Sequence, residues 1–385
     1  MKIAFLTPEF PHIKTGTSGG IGTSIFNLSK GLTQLGHKVS ILVYGQDNDD
    51  FFEENGITFY KIKNIKRKGF SLFLTQKKVE KLLNNLHKNK KIDIVEAPDW
   101  TGITSFIKPN CPLIIRLNGS DTYFCNLENR PVKWINKFHE KKAFKSANGI
   151  ISVSQFTGEQ TNMVFKTTRK FEVIPNAIDI NNFEPSTKVN NQKILYFGTL
   201  IRKKGLLELP LIFNEVCKFN PNAQLILVGK DSRDILSGTA STWQMMQPLF
   251  TENAFKNVKY LGSVPYSEIK KQIEQATVCV FPTFAEALPV SWIEAMAMEK
   301  PLVASNVGWA SEVINDGEDG FIEHPKNHLE FATKINLILN NEQLQLKLGK
   351  EARKKVIKKF SIEIVAQQSV DYYQKFLNSK NEFSI

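Results

Sequence analysis

Short apolar runs alternate along this chain with longer amphipathic segments, the rhythm of a parallel sheet whose faces are covered by helices. In the first half the runs are KIAFL, VSILV, IDIVEA, PLIIRL, GIISVS and FEVIP, and in the second KILYF, QLILV, VKYLG, VCVFP and PLVAS. Most are continuous rather than alternating, as strands buried on both faces must be. Between the first two, Ile25, Leu28, Leu32 and Leu35 recur at spacings of three and four and Gly36 follows, which predicts a helix and its end. Each half therefore reads as its own doubly wound α/β sheet. The segment 176–192, NAIDINNFEPSTKVNNQ, has turn-formers and no sustained period, so it is the expected linker. The predicted organisation is a domain over 1–180, a second over 190–360 and a closing helix over 361–385, where Ile364, Val365, Tyr372, Tyr373 and Phe376 share a helical stripe.

Length agrees, because 385 residues exceed what a single core usually supports. With 42% apolar and 23% charged residues the chain is neither disordered nor fibrous. The apolar run before Thr7 and Pro8 is too short for a secretory leader, and no stretch approaches the ~18 apolar residues that span a bilayer, so a cytoplasmic protein is expected. Cys111, Cys125, Cys217 and Cys279 lie far apart without metal-ligand spacing and read as thiols, not as a disulfide framework or a zinc site.

Charge adds one feature. Lys and Arg exceed Asp and Glu by 50 to 38, and the excess gathers between Lys61 and Lys91 and again at Lys133, Lys137, Lys141, Lys142 and Lys145. Two readings stand side by side: a solvated basic surface, or peripheral contact with anionic lipid at the inner face of a membrane. Nucleic acid is not expected, since no aromatic-basic binding module accompanies the charge.

Ligands of open α/β sheets sit at the carboxyl ends of strands, so the loops there carry the candidate chemistry. TGTSGGIGT follows KIAFL and precedes the striped helix; its glycines allow close backbone approach, and the helix start offers N–H groups to an anion. It matches neither a dinucleotide fingerprint nor a P-loop. FGTLIRKKG follows KILYF, and there Gly198 and Gly205 frame Arg202, Lys203 and Lys204, cations suited to a departing diphosphate without a metal. FAEALPVSWIEAMAMEKP follows VCVFP; Pro289 suits a helical first turn, placing Glu286 in the loop and Glu294 inside a largely apolar helix. A carboxylate there needs a partner, and a sugar hydroxyl would be one. Asp47-Asn48-Asp49 spells D-x-D but lies in a polar turn without further ligands, so no metal is expected.

Glu286 and Glu294 form the E-x7-E element of the retaining GT-B glycosyltransferases. The chain resembles their family-four (group 1) type over nearly its whole length, through SGGIGTSIFNLSKGL, ISVSQFT, VIPNAID, YFGTLIRKKGLLEL and PLVASNVGWASEVINDGEDGF. The resemblance implies two Rossmann-like domains facing across a cleft, a C-terminal helix returning to the first, and retaining transfer from a UDP- or GDP-linked sugar with no other cofactor. By the same resemblance Glu286 contacts the donor sugar and supports the reacting centre, Glu294 binds the ribose, and Lys204 with Arg202 holds the diphosphate beside Gly198. The backbone of Leu288, Pro289, Val290 and Ser291 meets sugar and phosphate, Val264 reads the base, and Gly20 stands beside the phosphate.

Two positions depart from the pattern. Thr199 stands where relatives carry Arg, leaving Arg202 as the neighbouring cation. Asn118 in RLNGS stands where they carry His; an amide can hydrogen-bond a sugar but cannot relay a proton, which makes Asp121 the acceptor-side substitute. The acceptor implied is a saccharide or a lipid-linked sugar in surface polysaccharide or glycolipid synthesis. A nucleotide-sugar epimerase or phosphorylase, or a nucleotide-sugar-binding subunit without activity, are the alternatives.

Overall fold

The structure, a computed structural model, describes residues 1–16, 18–185 and 192–378. Thr17 of the first glycine loop, residues 186–191 of the expected linker and 379–385 of the closing segment lie outside the described residues. The chain forms two compact units, Met1–Ile178 together with the chain from Phe360 onward, and Asp179–Lys359. Among the described residues no helix is long and apolar enough to cross a membrane.

The first unit holds β1 (Lys2–Thr7), β2 (Lys38–Gln46), β3 (Asp50–Glu54), β4 (Ile57–Lys63), β5 (Ile94–Pro98), β6 (Leu113–Leu117), β7 (Gly149–Ser152) and β8 (Glu172–Val173). They lie in the order β3-β4-β2-β1-β5-β6-β7-β8, parallel except for β3 against β4. Its helices are α1 (Gly20–Gln34), α2 (Ser71–Lys88), α3 (Asp121–Leu127), α4 (Trp134–Ser146) and α5 (Gln155–Phe165). Alternate residues of each strand feed opposite faces: Ile3 and Phe5 of β1 pack with Ile25, Leu28 and Leu32 of α1, while Ala4 and Leu6 pack with Val79 and Leu83 of α2.

The apolar runs do not announce β3 and β4. The signal for them is Asn55-Gly56 between two β-prone stretches; both residues are left-handed (φ 51° and 76°), the combination a two-residue hairpin turn demands.

The second unit holds β9 (Lys193–Phe197), β10 (Gln224–Val228), β11 (Val258–Tyr260), β12 (Val278–Phe281), β13 (Leu302–Ser305) and β14 (Phe321–Glu323), in the order β11-β10-β9-β12-β13-β14. Its helices are α6 (Leu209–Phe219), α7 (Thr242–Met246), α8 (Glu252–Phe255), α9 (Tyr266–Gln275), α10 (Val290–Ala297), α11 (Ala310–Val313), α12 (His328–Leu339) and α13 (Glu342–Lys359). All its pairings are parallel. The chain leaves β9 toward β10 on one side and returns with β12 on the other, so the loops after β9 and β12 diverge from a topological switch point.

The last helix, α14 (Ile362–Asn378), belongs to the first unit. It lies against α1 at Gly31, where a Cβ would come within 2.6 Å of the Ile362 carbonyl oxygen. Tyr373 donates to buried Glu96 at 2.5 Å, and Glu96 receives Arg116 Nε at 2.7 Å. Tyr372 donates to the Ile150 carbonyl and accepts its N–H. The sheet centre is thus tied to a helix that arrives more than two hundred residues later in the chain.

Candidate active site

The sharpest convergence in the second unit is at the carboxyl ends of β9 and β12. Lys204, in a single 3-10 turn after β9, places Nζ 3.0 Å from Glu286 Oε1 in the loop after β12. Two glycines permit this. Gly205 adopts φ +72°, and a Cβ there would lie 1.7 Å from the Pro282 carbonyl oxygen, so only glycine lets the two loops touch. Gly198, at φ +142°, leaves the Lys204 ammonium room 3.4 Å from where its own Cβ would be. The Phe284 N–H donates to the Lys203 carbonyl at 2.8 Å, completing the junction.

Helix α10 starts at this junction. Pro289 is its N-cap, one position ahead of the helical first turn expected from sequence, and no side chain caps the helix. A helix start leaves its first N–H groups without intrahelical acceptors, so Val290 and Ser291 present donors beside the Lys204–Glu286 pair. Glu294, only 8% exposed, lies further along α10. Burial raises its carboxyl to about 7, against the lowering influence of the Tyr266 hydroxyl, Lys270 and Lys204. The Tyr266 hydroxyl donates to Glu294 Oε1 at 2.7 Å, and the Lys270 ammonium stands 5.5 Å over the Tyr266 ring. Val264 lies half-buried two residues before Tyr266, in the loop from β11 to α9.

In the first unit, Gly20 opens α1, and a Cβ there would meet nothing within 4 Å. Glu9 already serves this helix start: its Oε1 accepts the Gly22 N–H at 3.0 Å. Asn118 ends the strand-β6 run, its N–H donating to Asp99 Oδ1 at 3.0 Å. Asp99 is fully buried, and burial pushes its carboxyl up to about 7. Asp121 heads α3 with its carboxylate taken by Asn136 Nδ2 at 2.9 Å and with Arg130 at 3.9 Å.

The profile of the glycosyl transferases group 1 matches residues 178–355, and that of glycosyltransferase family 4 matches 18–182, so the two together take in most of both units. The chain belongs to the group 1 glycosyltransferases. It is 27% identical to an uncharacterized glycosyltransferase of Methanocaldococcus jannaschii, over 97% of this chain and 98% of that one. It is 29% identical to the capsular polysaccharide biosynthesis glycosyltransferase CapM of Staphylococcus aureus over 49% of this chain and 47% of CapM. Among solved structures, Anabaena HepE in complex with UDP superposes with a TM-score of 0.73 at 19% identity, over 97% of this chain and all of that one. Its fold is the two-domain GT-B architecture.

In this glycosyltransferase the residues expected at the donor site divide. Glu286, Lys204, Gly198, Pro289, Val290, Ser291 and Glu294 share the switch point. Leu288, 5% exposed, lies in the loop before α10. Arg202 is turned elsewhere: Nε and one terminal nitrogen each stand 2.8 Å from the two oxygens of buried Asp234, and this pair holds Asp234 well below the usual carboxylate range. Arg202 therefore anchors the segment after β10, leaving Lys204 as the cation at Glu286. Asp121 likewise braces α3 against α4. Glu9, Asp99 and Tyr266 escape the sequence reading: Glu9 and Tyr266 are defined by partners 13 and 28 residues away, and Asp99 by burial. Asp49 of the D-x-D element receives Lys78 at 2.6 Å and the Lys63 N–H at 2.9 Å.

Proposed function

We propose that the protein transfers a sugar, with retention of anomeric configuration, from a UDP- or GDP-linked donor to a saccharide or lipid-linked acceptor in surface polysaccharide or glycolipid synthesis. The observation that carries this reading is the Lys204–Glu286 contact of 3.0 Å at the switch point, beside the uncapped start of α10. In that arrangement the bond between the anomeric carbon and the diphosphate breaks with its electron pair on the diphosphate. The acceptor hydroxyl oxygen forms its bond to that carbon on the same face and gives its proton to the departing diphosphate oxygen, and Lys204 and the first N–H groups of α10 neutralise the diphosphate charge as it develops. Glu286 would exchange Lys204 for the hydroxyls of the donor sugar, and Glu294 would exchange the Tyr266 hydroxyl for the ribose. The UDP held by HepE and the capsule-related name of CapM support the donor class and the setting.

Catalysis by preorganised cations needs no metal, so transfer is expected to proceed unchanged in EDTA; strong inhibition would remove this part of the reading. Lys204→Ala and Glu286→Ala should each lower turnover by about 10²- to 10³-fold, the cost of losing one preorganised electrostatic group. Melting temperature should barely move, because a partly exposed ion pair contributes only ~0–1 kcal/mol. Product formation is assayed with UDP- and GDP-sugars, with and without acceptor. Wild-type turnover in either variant would overturn the assignment, and donor conversion without acceptor would replace transfer with epimerisation.

A further inference from the structure

The first unit carries a surface that the donor chemistry does not use. Phe70 and Phe73 at the start of α2, and Trp134, Ile135 and Phe138 at the start of α4, are exposed, Trp134 to 77%. Residues three or four apart share a helix face, so Phe70 joins Phe73 and Trp134 joins Phe138. Phe106, in the loop after β5, bridges the two groups with ring centroids 5.9 Å from Phe73 and 6.3 Å from Phe138.

The patch is built rather than incidental. Directly beneath the three rings, Gln76 Nε2 donates to Ser105 Oγ at 2.9 Å, and Ser105 Oγ bonds His139 Nδ1 at 2.7 Å. One polar relay thus locks the same three segments that the aromatic chain joins above. Gly102, at φ +62°, lets the loop reach the α4 backbone, since a Cβ there would lie 2.3 Å from the His139 carbonyl carbon.

Charge surrounds the rings on one side of the balance. Within 66–81 and 133–145 there are eleven Lys and Arg against Glu80 and Glu140. Glu80 is paired with Lys77, Asp49 from outside these spans takes the Lys78 ammonium at 2.6 Å, and Glu140 is buried, accepting the N–H groups of Asp121 and Thr122. The Lys142 ammonium sits 3.2 Å from the Phe106 ring centroid and that of Lys77 5.8 Å from the Phe73 centroid, so the cations border the apolar rings directly. Exposed aromatics ringed by lysines, with little opposing acid, match the interface of an anionic bilayer, where rings enter the headgroup boundary and ammonium groups meet lipid phosphates.

The geometry points to this face, Phe70–Phe73, Phe106 and Trp134–Phe138 with their lysines, as the site by which the protein docks on an anionic lipid bilayer. α2 follows the carboxyl end of β4 and the Phe106 loop follows that of β5, so docking would hold the ligand end of the first sheet close to the lipid surface. The inference does not rest on the donor chemistry, and its failure would leave the Lys204 and Glu286 results untouched.

The test is sedimentation of the full chain with vesicles of phosphatidylcholine alone or mixed with phosphatidylglycerol, with tryptophan emission recorded alongside. Binding is expected only to the anionic vesicles, weakening as salt rises, with a blue shift that Trp134→Phe abolishes. Phe73→Ser/Phe138→Ser and Lys133→Glu/Lys137→Glu alter exposed side chains, so both should melt like the wild type while binding at least about tenfold more weakly, as expected when interfacial rings or cations are removed. No binding to anionic vesicles, equal binding to neutral ones, or undiminished binding in both variants would overturn the inference.

Discussion

Two carboxyl groups are held near neutrality by burial, and Glu294, on α10, is the one at the proposed donor site. Its folded value is raised above the ordinary one, so the stability it contributes is complete below about 4.5 and is lost as pH rises through about 7. Asp99 has the same sign and overlaps it, which makes the difference between variants the informative quantity. Glu294→Gln should flatten the fall in melting temperature between those limits. Tyr266→Phe should move the inflection upward, because the tyrosine hydroxyl stabilises the ionised form. If donor hydroxyls need the carboxylate, binding of UDP or GDP measured by calorimetry should strengthen through the same interval in the wild type and be level in Glu294→Gln. Binding that is flat in the wild type would show that Glu294 does not meet the nucleotide in its charged form.

Elements bring these residues together through positions that carry no chemistry of their own. Gly205→Ala should abolish transfer and cost more than the ~1 kcal/mol of an ordinary left-handed glycine replacement, because its methyl group would enter the Pro282 carbonyl. Urea unfolding compared with Gly262→Ala, a left-handed glycine (φ +70°) with open surroundings, separates the contact from backbone strain. Much at this scale is legible beforehand. Continuous apolar runs mark nearly every strand, since burial on both faces leaves little room for polar residues. FEVIP yields only the two-residue β8, whose residues are exposed, and the short β14 has no such run. The hairpin β3–β4 is invisible to hydropathy because its exposed faces hold Asp50, Phe51, Glu53 and Glu54, and it rests on turn chemistry instead.

Across the molecule, the Glu96–Arg116–Tyr373 cluster decides whether the first unit closes on its last helix. Arg116 and Glu96 are each only 3% exposed at the side chain, so Arg116→Met would strand a buried carboxylate and should cost about 3–5 kcal/mol in a denaturant melt. Replacing both, Glu96→Leu with Arg116→Met, should recover much of that loss; a double variant as unstable as the single one would contradict the account.

By itself the sequence determined two parallel sheets, their helices and the E-x7-E and basic-glycine loops, because hydrophobic period and loop chemistry act over a few neighbouring residues. Only the tertiary structure decided that Lys204 faces Glu286 while Arg202 faces Asp234, that Tyr266 partners Glu294, and that Glu9 occupies the start of α1. Those outcomes depend on which strands lie side by side and on which loops a glycine allows to touch. A charged side chain takes the nearest opposite charge or donor in space, and its order along the chain does not reveal which that is.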